Sequence, residues 1–219
     1  MKRIALVLGF CGALLLAPGV TVTSSFAQKK GAADKGEPVK TLQVTMGAQS
    51  NKSTGGFVEA ATGTTYSENE ASGNTGKIDF IYLHGKDSGA NFVTPASAGL
   101  SAFKKLSERV ATWEARNEGT LIKLPASEES QQLFESVKTT ADLQEAFKKA
   151  GKLVTSAAGY KAKDFGPGDR IRFLAAGDVV LFKSKNNVLA VLQVKEVGDT
   201  TTGTLTAEVK TSGGKVAGK

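Results

Sequence analysis

The period of apolar positions changes three times along the chain. Thr41-Leu42-Gln43-Val44-Thr45-Met46 alternates with period two, which predicts a half-buried strand. From Gly47 to Gly76 the pattern dissolves into Gly, Ser, Thr and Asn, with Gly55-Gly56 and Gly63 as turn signals. Inside that stretch Phe57-Val58 and Thr64-Thr65-Tyr66 fit short strands. Ile78 to His84 is the strongest strand of this half. Ile78, Phe80, Tyr82 and His84 are expected on one face, and Ile81 and Leu83 on the other beside Asp79. Both faces are largely apolar, so the strand should be central and covered on both sides.

Helical spacing takes over next. Thr94-Pro95 resembles an N-cap followed by proline at the first helical position. Leu100, Phe103, Leu106, Val110 and Trp113 then recur at intervals of three or four, one apolar stripe that Gly99 is expected to split. A second helix should follow Ser127, with Glu128 and Glu129 at its positive end. Thr140 is expected to cap a third, carrying Leu143, Ala146 and Phe147, with Lys148 and Lys149 in its last turn and Gly151 as its stop. Gly166-Pro167-Gly168 reads as a turn into a strand over Arg170–Phe173. Val179–Phe182 and Val188–Val197 flank a hairpin turn at Lys183–Asn187, and Leu205, Ala207 and Val209 alternate in a final strand. Strands and helices segregate into blocks. The predicted class is α+β, with N-terminal β segments, central helices and a C-terminal antiparallel hairpin or meander.

The ends of the chain carry different information. Lys2 and Arg3 precede an apolar run from Ile4 to Leu16, and Ser25-Phe26-Ala27 forms a small-x-small site. Residues 1–27 therefore read as a secretory signal peptide, too short for a membrane anchor. Cleavage removes Lys2 and Arg3, lowering the formal charge from +7 to +5, and removes Cys11, the only cysteine. Phe10 sits where a lipoprotein signal needs a small residue before its cysteine, which argues against lipidation of Cys11. Residues 28–40 read as a flexible basic leader, 41–211 as a single α+β domain, and 212–219 as a flexible tail. The expected location is the periplasm, the cell surface or the medium, with no transmembrane segment after cleavage.

Several of these segments carry a resemblance. Val44-Thr45-Met46-Gly47-Ala48-Gln49-Ser50-Asn51, Gly63-Thr64-Thr65-Tyr66 and Ile78-Asp79-Phe80-Ile81-Tyr82-Leu83-His84-Gly85 are similar to the N-terminal half of a group of uncharacterised cell-envelope proteins of Bacteroidota. Trp113-Glu114-Ala115-Arg116-Asn117 and Gly177-Asp178-Val179-Val180-Leu181-Phe182-Lys183 match the group's later landmarks. The resemblance implies a location and a domain type, and no reaction.

Composition then removes most chemistries. A cysteine nucleophile or thiolate zinc site has no residue to use once Cys11 is gone. A Ser-His-Asp triad would have to use His84, the only histidine, with Asp87 and Ser88 close in sequence, a poor arrangement for triad geometry. No calcium loop, Walker sequence or dinucleotide fingerprint occurs, so no metal, cofactor or catalytic residue is assigned. Glu68, Glu70, Asp79 and Glu114 could supply paired carboxylates to a glycosidase, though none stands apart from ordinary surface charge. Phe57, Tyr66, Tyr82 and Trp113 could line a sugar platform, against which Trp113 falls on the apolar helix stripe. Asn51-Lys52-Ser53 fits a glycosylation sequon, relevant only in a eukaryotic secretory pathway. The excess of lysine lies toward the chain ends and arginines are scattered, which argues against nucleic acid and for weak attraction to an anionic envelope polymer or glycan. The expected role is non-catalytic binding or structure in the cell envelope. The alternatives are a small secreted hydrolase using paired carboxylates on a glycan, and a subunit of a surface assembly.

Overall fold

The computed structural model describes residues 36–214; the expected signal peptide and the ends of the leader and tail lie outside the described residues. In chain order the elements begin with β1 (Lys40–Gly47), β2 (Phe57–Glu59), β3 (Thr64–Tyr66), α1 (Glu68–Ala71), β4 (Phe80–Gly85) and β5 (Gly89–Val93). A 3-10 turn (Ala98–Ala102) leads into α2 (Lys104–Ala111), followed by β6 (Gly119–Leu124), α3 (Glu128–Ser136) and α4 (Thr140–Ser156). The chain closes with α5 (Ala162–Phe165), β7 (Arg170–Ile171), β8 (Val179–Ser184), β9 (Leu189–Val197) and β10 (Thr204–Thr211). One sheet has the order β1-β10-β9-β8-β6 and the other β3-β2-β4-β5-β7, and every pairing is antiparallel. The class is α+β, as the segregated periodicities predict.

Side-chain alternation sorts the interior into three layers. Phe80 and Tyr82 of β4 point toward the first sheet, where Phe182 of β8 meets Phe80 with ring centroids 5.4 Å apart. Ile81 and Leu83 point the other way, under Leu100, Leu106, Val110 and Trp113. In β8, Val180 and Phe182 join the inter-sheet layer while Val179 and Leu181 receive Leu133, Leu143, Ala146 and Val154 of α3 and α4. The stacking is helix, sheet, sheet, helix, and both sheets are buried on two faces over their centres. That explains why β4 and β8 read as nearly continuous apolar runs.

The structure departs from the sequence expectations at several places. Ile78 precedes β4 and packs with Ile81, on the face opposite Phe80, because strand parity begins only at Phe80. Thr94-Pro95 does not start a helix: the Thr94 amide donates to Asp169 O (2.8 Å), and Ser97 caps the 3-10 turn. The apolar stripe is divided at Phe103, whose backbone lies outside the helical region, and Gly99 is inside the 3-10 turn. Thr139, not Thr140, caps α4, because only from Thr139 does a carboxylate, Asp142, fall three residues on to close a capping box. Thr140 is buried instead, and its Oγ1 accepts from the Glu37 amide (3.1 Å). The helix runs through Gly151, since Ala150 and Val154 continue its buried stripe. The expected strand at Arg170–Phe173 stops at Ile171, and Phe173 adopts a left-handed backbone (φ 53°). Periodicity does not predict strands β5 and β6 or the short helices α1 and α5. Within the stretch read as a leader, Pro38 bridges to Thr139 and the Val39 amide donates to Lys138 O (3.0 Å).

Candidate functional site

A cleft of about 470 Å³ opens on the outer face of the second sheet, between the loop joining β1 to β2 and helix α2. Strand alternation supplies its floor: Phe57, Ile81 and Leu83 face this side, and Leu106 of α2 closes over them. Phe103 forms one wall at the junction between the 3-10 turn and α2. Arg170 holds that wall in place. Its guanidinium lies 5.5 Å from the Phe103 ring centroid and donates to Asn91 Oδ1 (2.9 Å), Ser88 Oγ (3.2 Å) and Gly99 O (3.2 Å).

The opposite wall is the loop from Gly47 to Gly56, which is fixed to both sheets. Gln49 acts as a backbone mimic, donating from Nε2 to His84 O (2.6 Å) and accepting the His84 amide at Oε1 (2.8 Å). Asn51 Oδ1 accepts the amides of Ser53 (3.0 Å) and Thr54 (2.9 Å), and its Nδ2 donates to Thr202 O (2.7 Å). The amides of Ala48 and Ser50 donate to Gly203 O and Thr201 O in the turn between β9 and β10. Two glycines permit this folding: a Cβ on Gly47 would strike the Thr54 carbonyl, and one on Gly56 the Gly47 carbonyl. The loop is therefore preformed. Composition marked it as turns without indicating that it builds a wall.

Charge enters from α2 and α1. Among the described residues, Lys104, Lys105 and Arg109 line the cleft with one carboxylate, Glu68, which is ion-paired with Arg109. Phe103 occupies the N-cap of α2 and offers no side-chain acceptor, and no acidic residue lies in its first turn. By contrast, Ser67, Ser127 and Thr139 each close a capping box on α1, α3 and α4.

The residues weighed for catalysis are dispersed. His84 lies at the end of β4 with Nε2 3.4 Å from Asp199 Oδ1. Ser88 Oγ is engaged by Arg170 (3.2 Å) and by Asn91 Nδ2 (3.1 Å), and Asp87 is exposed. Glu68 faces Arg109, Glu70 closes the capping box of α1, and Glu114 is exposed. Asp79 is buried, accepting the Ala60 amide at 2.8 Å. Burial, with a smaller contribution from the Glu59 charge, pushes its carboxyl up to about 6. Neither Asp79 nor Glu59 lines the cleft. Among the described residues, no group of three or more His, Cys, Asp or Glu converges as a metal site.

The sugar platform does not form from the four aromatic residues considered. Trp113 is buried against Phe57 (centroids 5.7 Å apart), Tyr82 is buried between the sheets, and Tyr66 donates from its hydroxyl to Glu59 Oε2 (2.7 Å). Of these, Phe57 and Tyr82 belong to the cleft lining. Lys104 and Lys105 were not distinguishable in sequence from other surface lysines.

No family model and no curated protein matches the chain. A solved structure of a DUF4466 family protein from Parabacteroides merdae matches over 82% of this chain at 16% identity, with a TM-score of 0.43. The match covers 54% of that protein, so the chain spans about half its length. No helix among the described residues is long and apolar enough to cross a membrane.

Proposed function

We propose that this chain is an exported, non-catalytic binding protein of the cell envelope that takes a small ligand in the cleft between the Gly47–Gly56 loop and α2. The observation that carries the reading is the cleft itself. It has an apolar floor, a hydrogen-bonded loop as one wall and a volume in the range of small-molecule sites. A wall that is already ordered keeps the entropy cost of binding low. Against a hydrolase stands Glu68, the one carboxylate among the described residues of the cleft, which is paired with Arg109. Against a surface-assembly subunit stands the scarcity of exposed apolar area, since among the described residues Phe173 is the one large apolar side chain left open. The export half of the reading rests on the basic, apolar and small-x-small segments of residues 1–27.

A fragment screen followed by methyl NMR of the purified protein tests the binding half. Hits should shift the Ile81, Leu83 and Leu106 methyls and leave those of Leu143 and Val154 in α4 unmoved. Hits that map elsewhere, or turnover of chromogenic glycosides, would overturn it. Mass spectrometry of the mature N-terminus tests export, with Gln28 expected and a lipid-bearing Cys11 excluding the proposed cleavage.

A further inference from the structure

We infer that the ligand is an acidic amphiphile, an apolar body carrying one carboxylate, sulfonate or phosphate, whose anionic end is read by Lys104 and Lys105; this rests on the cleft being the binding site. The cleft has two chemically distinct parts. Its interior is largely apolar: the half-buried Phe103 ring faces the cleft over a floor of Ile81, Leu83 and Leu106, which belong to the core beneath it. A fully polar ligand would leave the Phe103 side of the cleft poorly matched.

Charge is concentrated on the α2 side. Lys104, Lys105 and Arg109 face one anion, Glu68, and the Arg109–Glu68 pair leaves both lysines without a carboxylate partner among the described residues of the cleft. Both lysines are exposed, so their ammonium groups are free to turn toward an incoming anion. Their placement is unfavourable for the helix alone. They occupy the first two positions of α2, where the peptide dipoles already present positive charge and no side chain caps the amides. An anion docked against the lysines would relieve that repulsion, and the uncapped first turn adds to the attraction. Lys104 and Lys105 are thus explained by a ligand's negative end better than by the stability of α2.

The matched dyes 8-anilino-1-naphthalenesulfonate and N-phenyl-1-naphthylamine share one aryl body and differ in the sulfonate. Fluorescence titration of the purified protein should show the sulfonate binding about tenfold tighter, a difference of about 1.4 kcal/mol. The double variant Lys104→Gln/Lys105→Gln should lose that preference and keep its affinity for the neutral dye. Lys149→Gln/Lys152→Gln on α4, which makes the same change in net charge far along the chain, should keep the preference. Near-ultraviolet circular dichroism confirms that each variant retains native packing. Equal affinities for the two dyes in the wild type would overturn the acidic-end assignment while leaving the cleft as a binding site. A preference untouched by the α2 substitutions, or lost equally in the α4 control, would overturn it as well. Binding of neither dye would count against both the ligand class and the cleft reading.

Discussion

Asp79 gives the sharpest test of the energetics of this fold. The residue is 7% exposed and lies just before β4, and its carboxylate accepts the Ala60 amide (2.8 Å). Burial raises its pKa from 3.8 to about 6, the nearby Glu59 charge adds to the rise, and the Ala60 bond opposes it. Such a rise corresponds to about 3 kcal/mol between the protonated and ionised forms. The sign follows from linkage. Between about pH 4 and pH 6 the folded protein holds this proton and the unfolded chain does not, so stability falls as pH rises. The stabilising contribution is complete below pH 4 and lost above pH 6. Asp79→Asn keeps an oxygen for the Ala60 amide and removes the charge. Urea unfolding of both proteins from pH 3.5 to pH 8 gives a difference curve in which the other carboxylates cancel. The variant's relative stability should climb by about 3 kcal/mol across that range, with most of the change between pH 4 and pH 6. The buried amide NH2 shifts the whole curve without changing its shape. A flat difference, or one that falls with rising pH, would refute the assignment of a buried, desolvated carboxylate.

Four further variants probe polar groups that are buried or that cap a helix. Asp178→Ala removes the acceptor of the Ala126 (3.2 Å) and Ala175 (2.9 Å) amides and leaves Lys123 Nζ, 3.9 Å away, buried without its counter-charge; the expected loss by urea unfolding is about 3–5 kcal/mol. Lys210→Met removes the ammonium that donates to Phe134 O (2.7 Å) and Val137 O (3.1 Å) at the end of α3. A loss of about 1–3 kcal/mol is expected, with faster hydrogen exchange in the last turn of α3 as the local readout. Thr139→Ala should lower the stability of the protein by about 1 kcal/mol and speed exchange at the first amides of α4. Thr140→Ala should leave those amides protected, because Thr140 Oγ1 accepts from Glu37 and not from the helix.

The legible parts of the fold are those where one side-chain face meets one environment. In β4, β8, β9 and β10 apolar runs or clean alternation were enough, because sheets and helices cover them uniformly. β6 was hidden by Lys123, which shares its face with Leu121 yet is 4% exposed. Its ammonium donates to Arg172 O (2.7 Å) and Phe173 O (2.9 Å), a compensation from residues about fifty positions away that no local pattern reveals. Burial pushes the Lys123 pKa down and that of Asp178 up, so desolvation outweighs their attraction and both are placed by hydrogen bonding to backbone. β5 was obscured in the same way by Asn91, fully buried because its side chain bonds Ser88, Gly89 and Arg170. Gly151 misled in the opposite direction: as a stop signal it was weaker than the stripe that Ala150 and Val154 extend.

The cleft is illegible for a different reason. Its floor belongs to β4, its loop wall precedes β2, and its charged side comes from α2, so no segment holds enough of it to form a motif. Each part has an ordinary local explanation. Gly55-Gly56 reads as a turn, Ile81 and Leu83 as core, and Lys104-Lys105 as solvated charge. What changes their meaning is the break at Phe103. An uninterrupted helix over the Leu100–Trp113 stripe would pack against β4 along its whole length. The 3-10 turn and the non-helical Phe103 instead start α2 at Lys104, with an uncapped first turn beside Ile81 and Leu83. Arg170 then fixes the displaced ring through Asn91 and Ser88, so the interruption is held by a buried polar network. A helix stripe with an aromatic at its midpoint and two lysines after it is the residue-level trace of that break. Its consequence can be read only once the Gly47–Gly56 loop is seen on the other side of the gap.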